Sequence, residues 1–375
     1  MTMSGFASSL TEITRLADEV RTQVHERDAS GEYPVDIVER MRRLGVFGAC
    51  AGDLRAYALA MEEIGRAWLS LVPIVNAHSS SVWVVKHHAT DEQRARWLGP
   101  FLRGEELACL GLTEPGGGSD LANLGSTARR DGDGWVLDLH KTLITHADHA
   151  DHMLVLARIA DSTAVGSRAL SLFLIDRDQW HVTRKLPKLG TVSVETCEVR
   201  AEQVRVGGDR LIGGVEGRGF PQVMDALEVG RIAVAAAAVG VARSALWRAI
   251  ERVREREAFG APLADNAIVR QRVAGMTTRI AAAKGLVQLS ADRKNTGGRC
   301  DVETAAAKTV ATDAALHAAL TAMELGGGMG YTEEFDFARH LRDAALFLAG
   351  EGANSLLESL IGARMVAAEP DLAWV

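Results

Sequence analysis

Three stretches of different hydrophobic periodicity follow one another along this chain, and their order is the sequence feature that most constrains its fold. Residues 9–106 repeat apolar side chains at the spacing of an α-helix. Residues 108–213 change to short alternating or β-branched runs, separated by turn signals such as the glycine–aspartate run 131–134. Residues 214–369 return to long helical patterns rich in alanine. This order predicts two helical bundles that flank a small antiparallel β domain, with a cleft at their junction.

The composition is that of an ordinary globular protein, with 47% hydrophobic and 24% charged residues in a chain of 375. The net charge of −7 argues against a nucleic-acid surface and against a basic membrane patch. The N-terminus has neither a basic segment nor a long apolar run, so we predict no signal peptide. The longest apolar run, Ile232–Ala242, is too short to cross a bilayer and predicts a closely packed interior helix.

The cysteine content indicates the compartment. Cys109 and Cys197 stand in apolar contexts, and we expect both to be buried thiols. No CxxC pair is present, so the sequence indicates neither a zinc site nor a redox dithiol. Scattered unpaired thiols are typical of a reducing compartment, and we therefore predict a cytoplasmic protein.

A cluster of histidines and aspartates between residues 146 and 152 resembles a set of metal ligands. Its spacing does not place three ligands on one face of a helix, and the segment precedes a predicted strand. We therefore predict no metal site in this segment, which contains His146, Asp148, His149, Asp151 and His152.

Two segments carry residues suited to chemistry. Glu351 is the lone carboxylate in an otherwise apolar stretch that begins at Leu346. Apolar surroundings raise the pKa of a carboxyl group and make it a usable base near neutral pH. More than 200 residues upstream, the glycine-rich turn 112–120 offers backbone N–H groups and a hydroxyl to a phosphate or a flavin edge. These segments are our candidates for a base and for a cofactor-binding turn.

Both segments, in this order, resemble the two signature regions of the acyl-CoA dehydrogenase family. Residues 113–120 resemble the first signature, and Arg342-Asp343-Ala344 followed by Glu351-Gly352 resembles the second. Three further motifs are similar to family motifs in the same order along the chain, at residues 141–145, 256–260 and 327–331.

This resemblance implies a fold that is α+β and mostly α. It implies an N-terminal helical domain at 1–108, a middle antiparallel β domain at 109–213 and a C-terminal four-helix bundle at 214–375. The implied activity is FAD-dependent α,β-dehydrogenation of an acyl thioester. Glu351 would abstract the α-proton and flavin N5 would take the β-hydride, while the Glu351 backbone N–H would polarise the thioester carbonyl.

The resemblance also implies site residues. Arg231 precedes Arg256 by 25 residues, as in the family pattern, and this register places Arg231 and Glu228 at the substrate. Ser119 is implied to contact both cofactor and substrate. The residues implied to contact FAD are Leu112, Thr113, Gly118, Ser119, Leu143, Thr145, Arg256, Phe259, Glu324, Gly327, Gly328 and Ala353.

Partners follow from the same resemblance. The Arg256 motif serves the FAD of a neighbouring subunit in the family, which implies a homo-oligomer, either a tetramer or a dimer. The acyl carrier is CoA or an acyl carrier protein, since both present phosphopantetheine, and residues 28–34 look similar to family members of antibiotic and polyketide pathways. The electron acceptor is an electron-transfer flavoprotein or O₂. We expect no nucleic-acid and no membrane partner.

Four positions depart from the family pattern. Leu143 replaces the aromatic residue that stacks on the flavin, and His146 replaces an asparagine. Glu324 replaces a glutamine and Ala353 a threonine. These changes predict less aromatic flavin packing, negative charge near the dinucleotide and one hydroxyl contact fewer.

Two other classes of function stay open. A flavin monooxygenase on the same fold would use reduced flavin and O₂, but such relatives typically lack the catalytic glutamate. A non-catalytic partner protein that has lost FAD would account for Leu143, Glu324 and Ala353. At single positions the alternatives are a structural Glu351, a capping Ser119, an ordinary strand Thr145 and an Arg256 on a solvated helix face.

Overall fold

One long helix, α8 (Gly219–Glu255), occupies the centre of the computed structural model, which describes residues 3–258 and 260–367. Its apolar run 232–242 is buried on every side, because helices of both bundles pack around it. The helix is long and apolar enough to cross a membrane, but 94% of its most apolar window is buried inside the protein. It is therefore the interior helix that the alanine-rich run predicts.

The N-terminal helices pack against this central helix and against the first strand. His78 joins the two parts, since its Nδ1 accepts a hydrogen bond from the Ala108 backbone N–H (3.0 Å) and its Nε2 donates to the Phe101 carbonyl (2.8 Å). Burial lowers the pKa of His78 to about 4, which keeps the ring neutral for this pair of bonds. The helices are α1 (Met3–Arg21), α2 (Val24–Ser30), α3 (Val35–Arg43), α4 (Leu54–Ala67), α5 (Leu71–His88), α6 (Asp91–Gln93) and α7 (Gly99–Arg103).

The middle of the chain forms a seven-stranded sheet. Strand β4 is its branching point, because it pairs with β5 along one edge and with β1 and then β2 along the other. The sheet continues from β2 through β3 and β7 to β6. The strands are β1 (Ala108–Gly111), β2 (Thr127–Asp131), β3 (Gly134–Thr145), β4 (His152–Ile159), β5 (Leu170–Asp176), β6 (His181–Lys185) and β7 (Thr196–Val206).

The sheet corrects one detail of the predicted antiparallel β domain. The pairings β2–β3, β3–β7, β4–β5 and β6–β7 are antiparallel, but β1–β4 and β2–β4 are parallel. The sheet is therefore mixed. The glycine-rich turn carries the chain from β1 to β2 so that both strands run beside β4 in its own direction. An alternation of buried residues identifies a strand but not the direction of its neighbour.

The C-terminal helices complete the bundle around α8. Helix α10 packs against α8, α9 and α12, and α4 and α5 cover α8 from the N-terminal side. The elements after α8 are β8 (Glu257–Ala258), β9 (Ala261–Pro262), α9 (Ala267–Asn295), α10 (Asp301–Gly326), α11 (Phe337–Ala344) and α12 (Asn354–Ala367). All four cysteines are buried and unpaired, as expected for Cys109 and Cys197; the other two are Cys50 and Cys300.

Two glycines let α4 and α8 approach each other at backbone distance. A Cβ atom on Gly240 would lie 2.1 Å from the Glu62 carbonyl oxygen, and one on Gly65 would lie 2.6 Å from the Ala237 carbonyl oxygen. Backbone atoms cannot move aside as a side-chain end can, so both positions require glycine for this helix crossing.

We predict that Gly240→Ala lowers the free energy of unfolding by about 1–3 kcal/mol, because the new methyl group overpacks the α4–α8 contact. The measurement is denaturant-induced unfolding. The control is Gly285→Ala on α9, where a Cβ meets nothing within 4 Å. Helix propensity predicts that this control gains about 0.5–1 kcal/mol. Equal stability of the two variants would contradict the close helix crossing.

Candidate active site

Glu351 lies in the turn between α11 and α12. Its φ is +56° and that of Gly352 is +94°, so two consecutive residues adopt left-handed backbone conformations. This is uncommon for a residue with a side chain, and it persists only where surrounding contacts fix it. The turn therefore points to a position that the rest of the fold holds in place.

Lys308 of α10 binds this turn through three hydrogen bonds. Its Nζ donates hydrogen bonds to the carbonyl oxygens of Phe347 (2.8 Å) and Gly352 (2.8 Å) and to Asn354 Oδ1 (2.7 Å). These three bonds use all the donor hydrogens of the ammonium group. Burial lowers the pKa of Lys308 to about 8, although the charge of Glu351 opposes this shift. Lys308 thus fixes the backbone on both sides of Glu351.

The carboxylate of Glu351 meets two further segments. Its Oε1 accepts a hydrogen bond from Asn76 Nδ2 of α5 (2.7 Å). Its Oε2 is shielded from solvent and has no hydrogen-bond partner among the described residues. The carboxylate rests against Gly230 of α8, where a Cβ atom would lie 2.7 Å from Oε2. A residue larger than glycine at position 230 would therefore displace the carboxylate.

The electrostatics suit a base. Burial raises the pKa of Glu351, while the charge of Arg231, the hydrogen bond from Asn76 and the charge of Lys308 oppose this rise. Arg231 is itself buried, and its guanidinium Nε has no hydrogen-bond partner in the described part of the chain. Glu351 is thus a carboxylate near two buried cations, Arg231 and Lys308, and its Oε2 accepts no hydrogen bond from the described residues.

Glu228 lies one helical turn before Arg231, but its carboxylate is engaged elsewhere. Its Oε2 accepts from Lys294 Nζ (2.6 Å) and from the Cys300 thiol (3.3 Å). Lys294 also bonds to Asp225 (2.5 Å). Glu228 therefore joins α8 to α9 through a buried ion pair. Its contact with substrate stays a prediction.

Asp343 of the second signature connects α11 to the β domain. Its Oδ1 accepts the backbone N–H of Thr191 (2.8 Å), which lies between β6 and β7. Gly190 lies against the Arg342 carbonyl oxygen, where a Cβ atom would come within 2.5 Å. Burial raises the pKa of Asp343 to about 6. The second signature thus joins α11 to the β domain, in addition to lying close to Glu351 along the chain.

The first signature forms a tight, exposed turn. Glu114 and Gly117 exchange backbone hydrogen bonds (3.0 and 3.3 Å), and residues 115–120 are exposed. Gly118 packs on Thr113, where a Cβ atom would lie 2.9 Å from Cγ2. Ser119 stands in this exposed loop and caps no helix. The turn therefore presents backbone N–H groups and a hydroxyl outward.

Lys141 ties this turn to strand β3. The buried Nζ donates to Glu114 Oε1 (2.7 Å) and to the carbonyl oxygens of Leu156 (2.8 Å) and Leu112 (3.2 Å). Glu114 in turn accepts backbone N–H groups of Gly125 (2.6 Å) and Ser126 (3.0 Å). Burial lowers the pKa of Lys141 to about 8, and the charge of Glu114 opposes this shift. No sequence pattern indicates these roles of Lys141 and Glu114, because the two residues lie 27 positions apart.

A β-bulge at Leu143 shapes the surface beside the turn. The β3–β7 register shifts between Lys141 and Ile144, and Leu143 has a φ of +58°. As a result the Leu143 side chain points outward and is 60% exposed. The Thr142 backbone N–H bonds to the Thr113 carbonyl oxygen (2.9 Å), which joins the bulge to the signature. Bulges commonly re-aim side chains next to active sites.

His146 follows Thr145 and turns inward. Its φ is +68°, its ring is buried, and its Nε2 lies 2.6 Å from the Tyr33 hydroxyl. The ring of His149 stacks on Tyr33 with 3.8 Å between centroids. Burial lowers the pKa of His146 to about 3, with the nearby His149 adding to this effect. His146 is therefore a neutral link between β3 and the N-terminal domain, and Thr145 beside it is half-buried.

A second group of predicted cofactor residues lies where α8 and α10 end. Arg256 Nη1 donates to the Gly326 carbonyl oxygen (3.3 Å), and a Cβ atom on Gly327 would lie 2.8 Å from the same nitrogen. Gly328 faces open space. Glu324 pairs with Arg272, so its negative charge is already compensated. Phe259 lies outside the described residues, and Ala353 directly precedes α12.

The histidine–aspartate segment brings three possible metal ligands close together. Ligand atoms of Asp148, His149 and Glu195 lie within 4.8 Å of one another. Lys185 contacts both carboxylates, at 2.6 Å from Asp148 and 3.7 Å from Glu195. The Lys185 ammonium group thus lies beside the carboxylates where a metal ion would bind. The predicted absence of a metal site stays a prediction.

Comparison with known protein families identifies the class of protein that this fold and site define. Three family models match the chain in order. The model for "Acyl-CoA dehydrogenase, N-terminal domain" matches residues 11–105, and that for "Acyl-CoA dehydrogenase, middle domain" matches residues 109–204. The model for "Acyl-CoA dehydrogenase, C-terminal domain" matches residues 217–366. The chain belongs to the acyl-CoA dehydrogenase family.

Individual relatives match this chain over more than nine-tenths of its length and of their own. A subunit of the caffeyl-CoA reductase–Etf complex of Acetobacterium woodii is 31% identical over 362 residues, which are 94% of this chain and 94% of that protein. The structure of butyryl-CoA dehydrogenase from Megasphaera elsdenii has a TM-score of 0.93 at 30% identity and covers 98% of this chain and 99% of its own. The structure of a prolyl acyl carrier protein oxidase has a TM-score of 0.90 at 25% identity, and the match covers 98% of this chain and 100% of that one.

This protein is therefore an oxidoreductase of the acyl-CoA dehydrogenase type, and its cofactor is FAD. The residues present fit that cofactor. The signature turn is exposed, the Leu143 side chain offers an apolar surface to solvent, and the glycine at 327 leaves space beside Arg256. The predicted family, fold class and cofactor are confirmed.

We predict that Lys141→Met lowers the free energy of unfolding by about 3–5 kcal/mol, because it leaves Glu114 without its cation in a largely buried position. We also expect weaker FAD retention, measured by flavin absorbance after gel filtration. The control is Lys185→Met in the same domain, whose exposed ion pair with Asp148 is worth about 0–1 kcal/mol. An equal loss in both variants would contradict the role of Lys141.

Proposed function

We propose that this protein removes the α-proton and the β-hydride of an acyl thioester, with Glu351 as the proton acceptor. The observation that carries this proposal is the Oε2 atom of Glu351. This oxygen is shielded from solvent, rests on Gly230 and accepts no hydrogen bond from the described residues. Asn76 holds the other carboxylate oxygen, so the carboxylate cannot rotate freely. A base needs this combination of fixed geometry and raised pKa.

The residues around Glu351 supply the electrostatics of proton transfer. Arg231 and Lys308 favour the carboxylate that exists before transfer, and burial favours the neutral acid that exists after it. The backbone N–H of Glu351 is the proposed donor to the thioester carbonyl, where negative charge develops. Bound FAD supplies the acceptor for the β-hydride.

We propose that the cofactor contacts come from two groups of residues. Ser119, exposed in the signature turn, is proposed to contact both FAD and thioester, and Ala353 lies next to the proposed base. The flavin side is proposed to involve Leu112, Thr113, Gly118, Ser119, Leu143, Thr145 and Ala353. The dinucleotide side is proposed to involve Arg256, Phe259, Glu324, Gly327 and Gly328.

We propose a homo-oligomer, either a tetramer or a dimer, in which the Arg256 group serves the FAD of a neighbouring subunit. Support comes from large apolar side chains that the bundle helices leave exposed, among them Trp247 on α8, Leu289 on α9 and Leu320 on α10. Exposed apolar side chains of this size are typical of surfaces that another chain covers.

The acyl carrier and the electron acceptor are proposals at the level of class. The carrier is CoA or an acyl carrier protein, and the relatives named above include one protein of each kind. The acceptor is an electron-transfer flavoprotein or O₂, and those relatives include a subunit of an Etf complex and an oxidase. The buried unpaired thiols support a cytoplasmic location.

The test is anaerobic addition of acyl-CoA and acyl carrier protein thioesters to Glu351→Gln protein loaded with FAD. We expect the variant to retain its flavin band but to lose bleaching by at least about a hundredfold in rate, because removal of a general base has effects of this order. The control is Glu358→Gln on α12, an exposed glutamate, which should bleach at the wild-type rate.

Three results would contradict parts of this account. Bleaching of Glu351→Gln at the wild-type rate would remove Glu351 from the role of base. A hydroperoxyflavin spectrum on exposure of reduced protein to O₂, without bleaching by any thioester, would favour the monooxygenase. Wild-type protein that binds no added FAD would favour the non-catalytic partner protein.

A further inference from the structure

The wall of the site around Glu351 contains a polar atom that the protein does not satisfy. Asn76 is 6% exposed, and its Nδ2 donates to Glu351. A carboxylate only accepts hydrogen bonds, so the amide nitrogen must face Glu351 and the amide oxygen must face elsewhere. That oxygen, Oδ1, is buried and has no partner among the described residues. The site therefore presents an unmatched acceptor.

A second residue beside this carboxylate carries an unmatched donor. Arg231 is 7% exposed, and its Nε–H has no partner within the described part of the molecule. Arg231 follows Gly230, on which the carboxylate rests, and its charge acts on Glu351 more strongly than that of Lys308. Both unmatched atoms thus belong to residues around the Glu351 carboxylate, since Asn76 bonds to Oε1 and Arg231 adjoins Gly230, on which Oε2 rests.

Two further buried polar side chains, Ser79 of α5 and Tyr57 of α4, belong to the helix that carries Asn76 and to its neighbour. Ser79 lies three residues after Asn76, so the two share one face of α5. The Tyr57 hydroxyl of α4 is fully buried beside Ser79. Burial raises the pKa of Tyr57, and the charges of Cys50 and Glu351 add to this rise.

A buried polar atom without a partner carries a large desolvation penalty, which a ligand can relieve. The Asn76 oxygen requires a donor and the Arg231 Nε–H requires an acceptor. A hydroxyl group is both, whereas a methylene or methyl group is neither. A carboxylate would be repelled by Glu351 and an ammonium by Arg231 and Lys308, so a neutral group fits this mixture of charges.

We propose that the acyl group of the substrate is short and carries a hydroxyl group close to the reacting carbons, where Asn76 accepts its hydrogen and Arg231 donates to its oxygen. This inference rests on the proposed function, since it names the substrate class of that same site. In this arrangement Asn76 is the residue that selects for the hydroxyl, because its amide joins the base on one side and the substituent on the other.

The test compares thioesters matched in heavy-atom number, so that only a hydroxyl and a methyl group differ. The pairs are 3-hydroxypropionyl with butyryl and 4-hydroxybutyryl with pentanoyl, each presented on CoA and on an acyl carrier protein. The first readout is kcat/KM for anaerobic flavin reduction. The second is the dissociation constant for Glu351→Gln protein, measured by calorimetry without turnover.

We expect the hydroxylated member of at least one pair to be favoured by about tenfold or more, both in kcat/KM of wild-type protein and in affinity for Glu351→Gln protein, because a site built for a hydroxyl rejects the analogue that lacks it. Asn76→Leu should bring the ratio of the hydroxylated to the methyl thioester to about one or below. A change in the base caused by this substitution would act on both thioesters of a pair alike and would leave their ratio unchanged. The control is Ser81→Ala on the same helix, which should keep the wild-type ratio.

The outcomes separate the two proposals. Reduction by both members of each pair with equal kcat/KM and equal affinity would overturn the hydroxyl inference and leave the dehydrogenase proposal standing; ordered water would then satisfy Asn76. A hydroxyl preference that survives in Asn76→Leu would overturn the role of Asn76. If Asn76→Leu loses its flavin, the wild-type ratio alone decides. No reduction and no binding by any thioester would overturn both proposals.

Discussion

The close contacts that glycine permits along α8 govern both the core and the site of this protein. At Gly240 the helix meets the backbone of α4, and ten residues earlier, at Gly230, it meets the carboxylate of Glu351. Both glycines lie on one buried helix, and the stretch between them consists mostly of alanine and valine. The packing of α8 therefore sets the distance between the N-terminal helices and the proposed base, and a change in this packing reaches the site directly.

The site is assembled from parts of the chain that are far apart in sequence. Glu351 comes from a C-terminal turn, Asn76 from an N-terminal helix, and Gly230 with Arg231 from the central helix. Helices carry Asn76 and Arg231, and Lys308 of α10 fixes the turn of Glu351, so the geometry does not depend on a flexible loop. Two buried lysines act alike at the two functional turns, since Lys141 fixes the signature turn and Lys308 fixes the turn of Glu351. Each donates to backbone carbonyl oxygens as well as to one side chain.

The sequence predicts much of this because several signals are local. Periodicity identified the helical, β and helical order, and a lone carboxylate in an apolar run predicts Glu351 as the base, which stays a proposal. The contacts of Asn76, Lys141 and Lys308 leave no such signal, because each partner lies tens or hundreds of residues away and a single polar residue has no period. The parallel pairing of β1 and β2 with β4 was missed for the same reason. The charge predicted at Glu324 is compensated by Arg272, which only the packing of α9 against α10 brings near.

The contact of Glu351 with Gly230 fixes the position of the proposed base, and α-proton exchange in D₂O measures the action of that base alone. The probe is an acyl-CoA with sulfur in place of the β-carbon, which has no β-hydride to lose, and exchange is followed by NMR with FAD-loaded protein. Wild-type protein should exchange the α-proton. Gly230→Ala should retain its fold and flavin, because the methyl group displaces only a flexible side-chain end, but should lose exchange by at least about tenfold. Exchange by Gly230→Ala at the wild-type rate would contradict the account.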